Sequence, residues 1–177
     1  LINGEIDAAD GLPPAIFAQL EDQPNITTNV SNANYMDNLA FNFKGSADPS
    51  LHNLKVRQAI EYSINKQALV DRVTLGYSSP GDSVILPTYT QWVWHPSADQ
   101  VIGFSPDTAN ALLDSAGYKD VNHDGFRETP GGDPWSLQVL TISDATYSVP
   151  EGKLIAGWMN DVGIKTSTKV VSESVAY

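Results

Sequence analysis

The sequence contains no cysteine, which excludes a disulfide framework, a thiolate nucleophile and Cys-ligated zinc. Basic residues are scarce: ten Lys and Arg stand against 21 Asp and Glu, a formal charge of −11. Such a surface repels phosphate backbones and anionic lipid, so no nucleic-acid partner is expected, and the acidity reads as the solvated exterior of a secreted protein. No run reaches the ~18 apolar residues that would span a bilayer. No signal peptide opens the chain either, and residue 1 begins inside what reads as ordered structure, so both ends are expected to have been cut from a longer protein. Repeats and low-complexity tracts are absent, excluding solenoids and linker-dominated architectures. His52, His95 and His123 lie too far apart for a helical zinc pair, and there is no Gly-x-Ser-x-Gly elbow. No catalytic residue is therefore expected, and an enzyme is the poorer reading.

What is present is alternation of helix and strand signals, in a chain that is 41% apolar and long enough to bury one real core. Pro14 to Leu20 predicts a short helix with Ile16, Phe17 and Leu20 on one face. Leu39, Phe41 and Phe43 alternate at period two, which predicts a strand. From Asn53 the period becomes 3.6, with Val56, Ala59, Ile60, Ile64 and Ala68 along one stripe of a long amphipathic helix. A Pro/Gly/Tyr/Trp-rich excursion from Tyr77 to Ser105 follows, and loops of that length are usually functional or packed on something. Ser105-Pro106-Asp107 is a strong helix start, continued by Ala109, Leu112, Leu113 and Ala116 and stopped by Gly117. Trp135 to Ile142 then alternates as a strand. Leu154, Ile155, Trp158, Met159 and Val162 make a helix face closed by Gly163, and Ile164 to Val170 alternates again. Strand, helix and strand within so short a span predict a βαβ crossover, hence an α/β chain with a mixed sheet flanked by helices.

Several stretches resemble a known family. Asn42-Phe43-Lys44, followed by Asn53-Leu54-Lys55-Val56-Arg57-Gln58-Ala59-Ile60-Glu61-Tyr62-Ser63-Ile64-Asn65-Lys66-Gln67-Ala68-Leu69-Val70, is similar to the "N … d-x-x-V-R-Q-A-I-x-Y-A-I-D-R-x-x-I-V" signature of the peptide/nickel/oligosaccharide-binding solute receptors of ABC importers. Ala109 to Tyr118 resembles that family's "A-x-x-L-L-x-E-A-G-Y", Gly163-Ile164-Lys165 its "lG-I-x-V", and Gly4-Glu5-Ile6-Asp7 its "G-E-I-D". Ser63 for Ala and Asn65-Lys66 for Asp-Arg are the departures. The resemblance implies a type II periplasmic-binding-protein-like fold in which residues 1–177 form part of the C-terminal lobe of a two-lobed receptor, with the N-terminal lobe and a C-terminal segment absent. It further implies a small solute as partner, peptides favoured, and a membrane ABC permease. The location implied is periplasmic or extracellular, with a lipid anchor on the full-length protein. An acidic ligand anchor is expected beyond Tyr177, and the fragment alone should bind solute weakly, because closure needs both lobes.

Two sets of residues carry candidate chemistry. Asp120, Asn122 and Asp124 place oxygens at alternate positions, Gly125 permits the tight turn and Phe126 offers a carbonyl, with Glu128 able to complete a shell for Ca²⁺. Gly131 occupies the position where an EF-hand has its bidentate Glu, which excludes an EF-hand. The same motif also works as a metal-free Asx turn, so no cofactor is required and a structural Ca²⁺ stays an alternative. Tyr35, Tyr89, Trp92, Trp94 and Tyr147 are candidates for lining a solute cleft, since aromatics in irregular segments present rigid apolar faces with a polar handle. Ordinary packing beneath a loop is the competing reading for each. Trp135 and Trp158 fall in phase with apolar partners and are expected in the core. Arg57 is expected to pair with a carboxylate or hold loop carbonyls rather than ligand. A secreted calcium-stabilised adhesion or scaffold domain, or a hydrolase accessory domain, are the rival functions.

Overall fold

A computed structural model describes residues 1–31, 36–44 and 48–176. The first helix, α1 (Pro14–Glu21), begins with proline in its first turn, where the missing N–H costs nothing. A 3₁₀ turn (Pro49–His52), capped by the Asp48 side chain on Ser50 N, leads into α2 (Leu54–Ser63), capped by Asn53 on Lys55 N. Then come α3 (Lys66–Arg72), α4 (Pro106–Ser115), β1 (Ser136–Ile142), α5 (Ser148–Asp161), β2 (Lys165–Val171) and the short α6 (Glu173–Ala176).

The predicted βαβ unit is present. β1 and β2 pair in parallel from Ser136↔Lys165 through Ile142↔Val171, with α5 between them in sequence. Along β1, Val139 and Thr141 are buried while Ser136, Gln138 and Leu140 are exposed, the alternation a one-sided sheet requires. α5 lies so close to β1 that a Cβ on Gly152 would come within 2.2 Å of Thr141 Cγ2. Glycine at this position is what allows the helix to seat.

Val56, Ala59 and Ile60 of α2, Ala109 and Leu113 of α4, and Ile155 and Met159 of α5 join one core with Val139, Val162 and Ile164. Trp135 and Tyr118 complete it, their rings 4.3 Å apart, and the Trp135 indole N–H donates to Ser50 Oγ at 3.1 Å. Trp135 thus takes the expected core place, and Trp158 packs half-buried against the same cluster.

Two sequence expectations are corrected. The single long helix from Asn53 is two: Ile64 is extended (φ −90°, ψ 121°), and Asn65 starts α3 by accepting from Ala68 N at 2.9 Å. An asparagine side chain competes well for exposed backbone N–H groups, and here it resets the helix despite an unbroken apolar stripe. The expected strand at Leu39–Phe43 is irregular chain. Leu39 and Phe41 do lie against the core, but Phe43 turns outward beside His52 and beneath the Arg57 guanidinium. Period two reported an extended chain; it could not report a ladder partner. Arg57 itself donates to Leu51 O at 2.7 Å, the loop-holding role expected of it.

Candidate functional site

The excursion between α3 and α4 holds no helix or strand. Lys66 anchors its start, donating to Gly81 O and pairing with Glu61 and Asp82. At its far end Ser105 N bonds Tyr62 O, and Ser105 then caps α4 through Thr108 N. Between these ties, Trp92 N and Val93 N both donate to Tyr89 O. One short turn therefore carries Tyr89 and Trp92, which are 54% and 73% exposed; Trp94, just beyond, is 49% exposed. Val84, Val101 and Phe104 add further exposed apolar surface along the same stretch. Aromatic rings held outward on a tethered loop can stack on a planar or apolar ligand face.

Tyr147 is placed differently. It lies half-buried at the start of α5, its carbonyl accepting Glu151 N, and among the described residues no ring contact joins it or Trp94 to the Tyr89–Trp92 turn. Tyr35 lies outside the described residues. The structure thus brings together Tyr89 and Trp92, sets Trp94 beside them in sequence and leaves Tyr147 on a separate element.

The acidic loop is compact and internally bonded. Asp120 Oδ1 accepts Asp124 N and its Oδ2 accepts Gly125 N; Asn122 Oδ1 accepts Asp124 N, and Asp124 Oδ1 accepts Phe126 N. Glu128 is buried, receiving Val121 N at 2.8 Å and the Asn122 amide at 2.7 Å. Oxygens of Asp120, Asp124 and Glu128 lie within 4.8 Å of one another, so the donor set could surround a hard cation. The loop is also satisfied as a chain of Asx-type turns. Gly125 (φ 91°) takes the left-handed step anticipated for it, while His123 (φ 64°) takes another without glycine.

Two features went unread in the sequence. The first is Arg127, whose side chain is 11% exposed and links two helix ends. It donates to Val162 O, Tyr118 O, Asp114 Oδ1 and Asn110 Oδ1. Beside it, α4, the end of α5 and the acidic loop border an open groove of about 860 Å³. The second feature is Glu151 in the first turn of α5. Burial, with a smaller contribution from the Asp37 charge, pushes its carboxyl up to about 7, and desolvation also raises Asp37. Residues 36–44 and α5 are far apart in sequence, so no local pattern could have announced that pair.

The whole chain, residues 1–177, matches the family described as bacterial extracellular solute-binding proteins, family 5, middle region. It is 28% identical over 180 residues to the nickel-binding periplasmic protein of Escherichia coli, covering 98% of this chain and 33% of that protein. It is 30% identical over 120 residues to the oligopeptide-binding protein OppA of Lactococcus lactis subsp. cremoris, covering 66% of this chain and 19% of that one. Among solved structures, the mannohexaose-bound periplasmic oligopeptide-binding protein of Thermotoga maritima superposes with a TM-score of 0.66 at 29% identity, over 72% of this chain and 24% of that one. NikA from Brucella suis, in complex with Fe(III)-EDTA, gives a TM-score of 0.74 at 22% identity over 99% of this chain and 35% of its own, a likeness of fold. The chain thus spans about a third or less of these relatives, and the fold is the α/β type of the type II periplasmic binding proteins. It belongs to the bacterial extracellular solute-binding proteins of family 5.

Proposed function

We propose that this chain is part of a two-lobed extracellular receptor that captures a small solute and hands it to an ABC importer. Family membership across all 177 residues carries this reading, and the outward-facing Tyr89, Trp92 and Trp94 support it. On this view residues 1–177 belong to the C-terminal lobe, and the remainder of the polypeptide supplies the opposing lobe. The cleft closes when a solute binds both, so affinity resides in the whole protein rather than in either half. The receptor works outside the cytoplasmic membrane, held by a lipid anchor and facing the permease. Its role is to bind, with no bond made or broken in the solute.

Oligopeptides are the favoured class. Relatives named for nickel, glutathione and oligopeptides, and a neighbour holding mannohexaose, mark how widely ligands vary on this scaffold. Rings that stack without reading a sequence suit peptides and sugars alike. For the acidic loop we favour the metal-free reading, because its side-chain oxygens already accept the loop's own N–H groups.

Thermal melts of the full-length protein with peptides, oligosaccharides and nickel complexes test the proposal. A ligand present at a hundred times its Kd stabilises by about 2.7 kcal/mol, and one class should do so. No shift with any class would refute it.

A further inference from the structure

Just past α1 the chain carries two Asn-x-Ser/Thr triplets that the receptor reading does not use, Asn25-Ile26-Thr27 and Asn29-Val30-Ser31. Neither middle residue is proline, the one residue that spoils such an acceptor. Asn25, Thr27, Asn29 and Ser31 are all exposed, on irregular chain. A turn at Pro24 is closed by Ile26 N on Gln23 O at 3.2 Å. From Thr27 to Ser31, among the described residues, no backbone N–H donates to another main-chain group. Among the described residues, the nearest side-chain hydrogen bonds in sequence run from the Gln23 amide to Gln19 O before the segment and from Lys44 N to Asn42 Oδ1 after it. Other asparagines have structural work: Asn53 and Asn65 cap helices, Asn110 holds Arg127, and Asn160 joins Ala156 to Thr166. Exposed Asn3, Asn38 and Asn42 are followed at the second position by Glu5, Ala40 and Lys44, which have no hydroxyl to offer.

The geometry points to Asn25 and Asn29 as acceptors for N-linked glycosylation. The co-substrate is an oligosaccharide carried on a polyisoprenyl diphosphate, and a membrane transferase reads the hydroxyl of Thr27 or Ser31. In the transfer, the asparagine amide nitrogen bonds to the anomeric carbon of the glycan. The carbon–oxygen bond to the carrier breaks, the diphosphate leaves with its electron pair, and the amide nitrogen gives up one proton to a base of the transferase. Nothing is oxidised or reduced. An exposed segment without a ladder or helix can be drawn into a transferase groove at little conformational cost, unlike an asparagine that caps a helix. The inference rests on the receptor reading in one respect, that the protein is exported to where such donors are used.

The test is made on the full-length protein purified from the extracytoplasmic fraction of cells that produce it. Cleavage before Asp22 and Asp37 frees residues 22–36 with both triplets, and electron-transfer fragmentation locates any added mass. Glycan is expected on Asn25 and Asn29, absent from Asn38 and Asn42, and lost from the respective site in Thr27→Val and Ser31→Ala. Those variants should melt with the wild type, so loss of glycan would not report misfolding. Exported protein with both asparagines bare overturns this inference alone. Protein confined to the cytoplasm, with bare asparagines, overturns both it and the receptor reading.

Discussion

Replacing Arg127 with methionine keeps the length and aliphatic body of the side chain and removes its charge and donors. The structure separates what should be lost. Asp114 is 58% exposed, so the ion pair with Arg127 at 2.5 Å is screened, and together with the Asn110 contact it contributes about 0–1 kcal/mol. The carbonyls of Tyr118 and Val162 are another matter. Each lies just past the end of a helix, where aligned dipoles concentrate negative charge, and each receives a charged donor within 2.9 Å. Hydrogen bonds of that kind contribute about 1–1.5 kcal/mol each once rehydration is allowed for. The sum is about 3 kcal/mol, or a fall in melting temperature of about 6–12 °C for a chain of this size. Urea denaturation of the 177-residue chain followed by circular dichroism reads it directly, because the midpoint should fall with an unchanged slope. Arg127→Lys retains the charge but not the planar fork that serves both helix ends, and should recover less than half of the loss. A destabilisation of Arg127→Met below about 1 kcal/mol would refute the claim that this guanidinium ties α4 to α5.

Glu151 sets a pH dependence whose sign follows from its displacement. Its carboxyl titrates at about 7 in the fold against 4.5 in the unfolded chain, so the folded form holds its proton more tightly. Stability is then greatest below pH 4.5 as far as this group is concerned and falls as pH rises to about 7, by about 1 kcal/mol after discounting for its half-exposed position. Glu151→Gln should flatten that slope in melts across the window; an unaltered slope contradicts the assignment. Gly152→Ala should cost about 1–3 kcal/mol because its Cβ meets Thr141 Cγ2, and Thr141→Ser in the same chain should recover part of this. Additive losses in the double variant would contradict the contact. For the acidic loop, melting temperatures in EDTA and in millimolar Ca²⁺ should agree, whereas a clear rise with Ca²⁺ would place an ion among Asp120, Asp124 and Glu128.

How far the sequence carried depended on the range of the interactions. α4 was readable from Ser105, Pro106 and Gly117, because caps and turns act within a few residues. The βαβ unit was readable because its two periods change within one short stretch. The break at Asn65 was not, since one side-chain hydrogen bond outweighed a continuous stripe. Phe43 misled for the opposite reason, as extended chain and paired strand share a period. Trp92 lies in a stretch with neither helical nor strand period, and its ring is exposed. Arg127 and the Asp37–Glu151 pair depend on contacts between distant segments, which no local pattern encodes.

On the receptor reading, the exposed rings of the excursion belong to a solute cleft. Isothermal titration of the full-length protein, with the solute that most raises its melting temperature, tests it beside the Trp92→Ala/Trp94→Ala double variant. Saturable binding is expected of the wild type, with an affinity at least about tenfold weaker in the variant, a difference of about 1.4 kcal/mol. Equal affinity in the two proteins would contradict it.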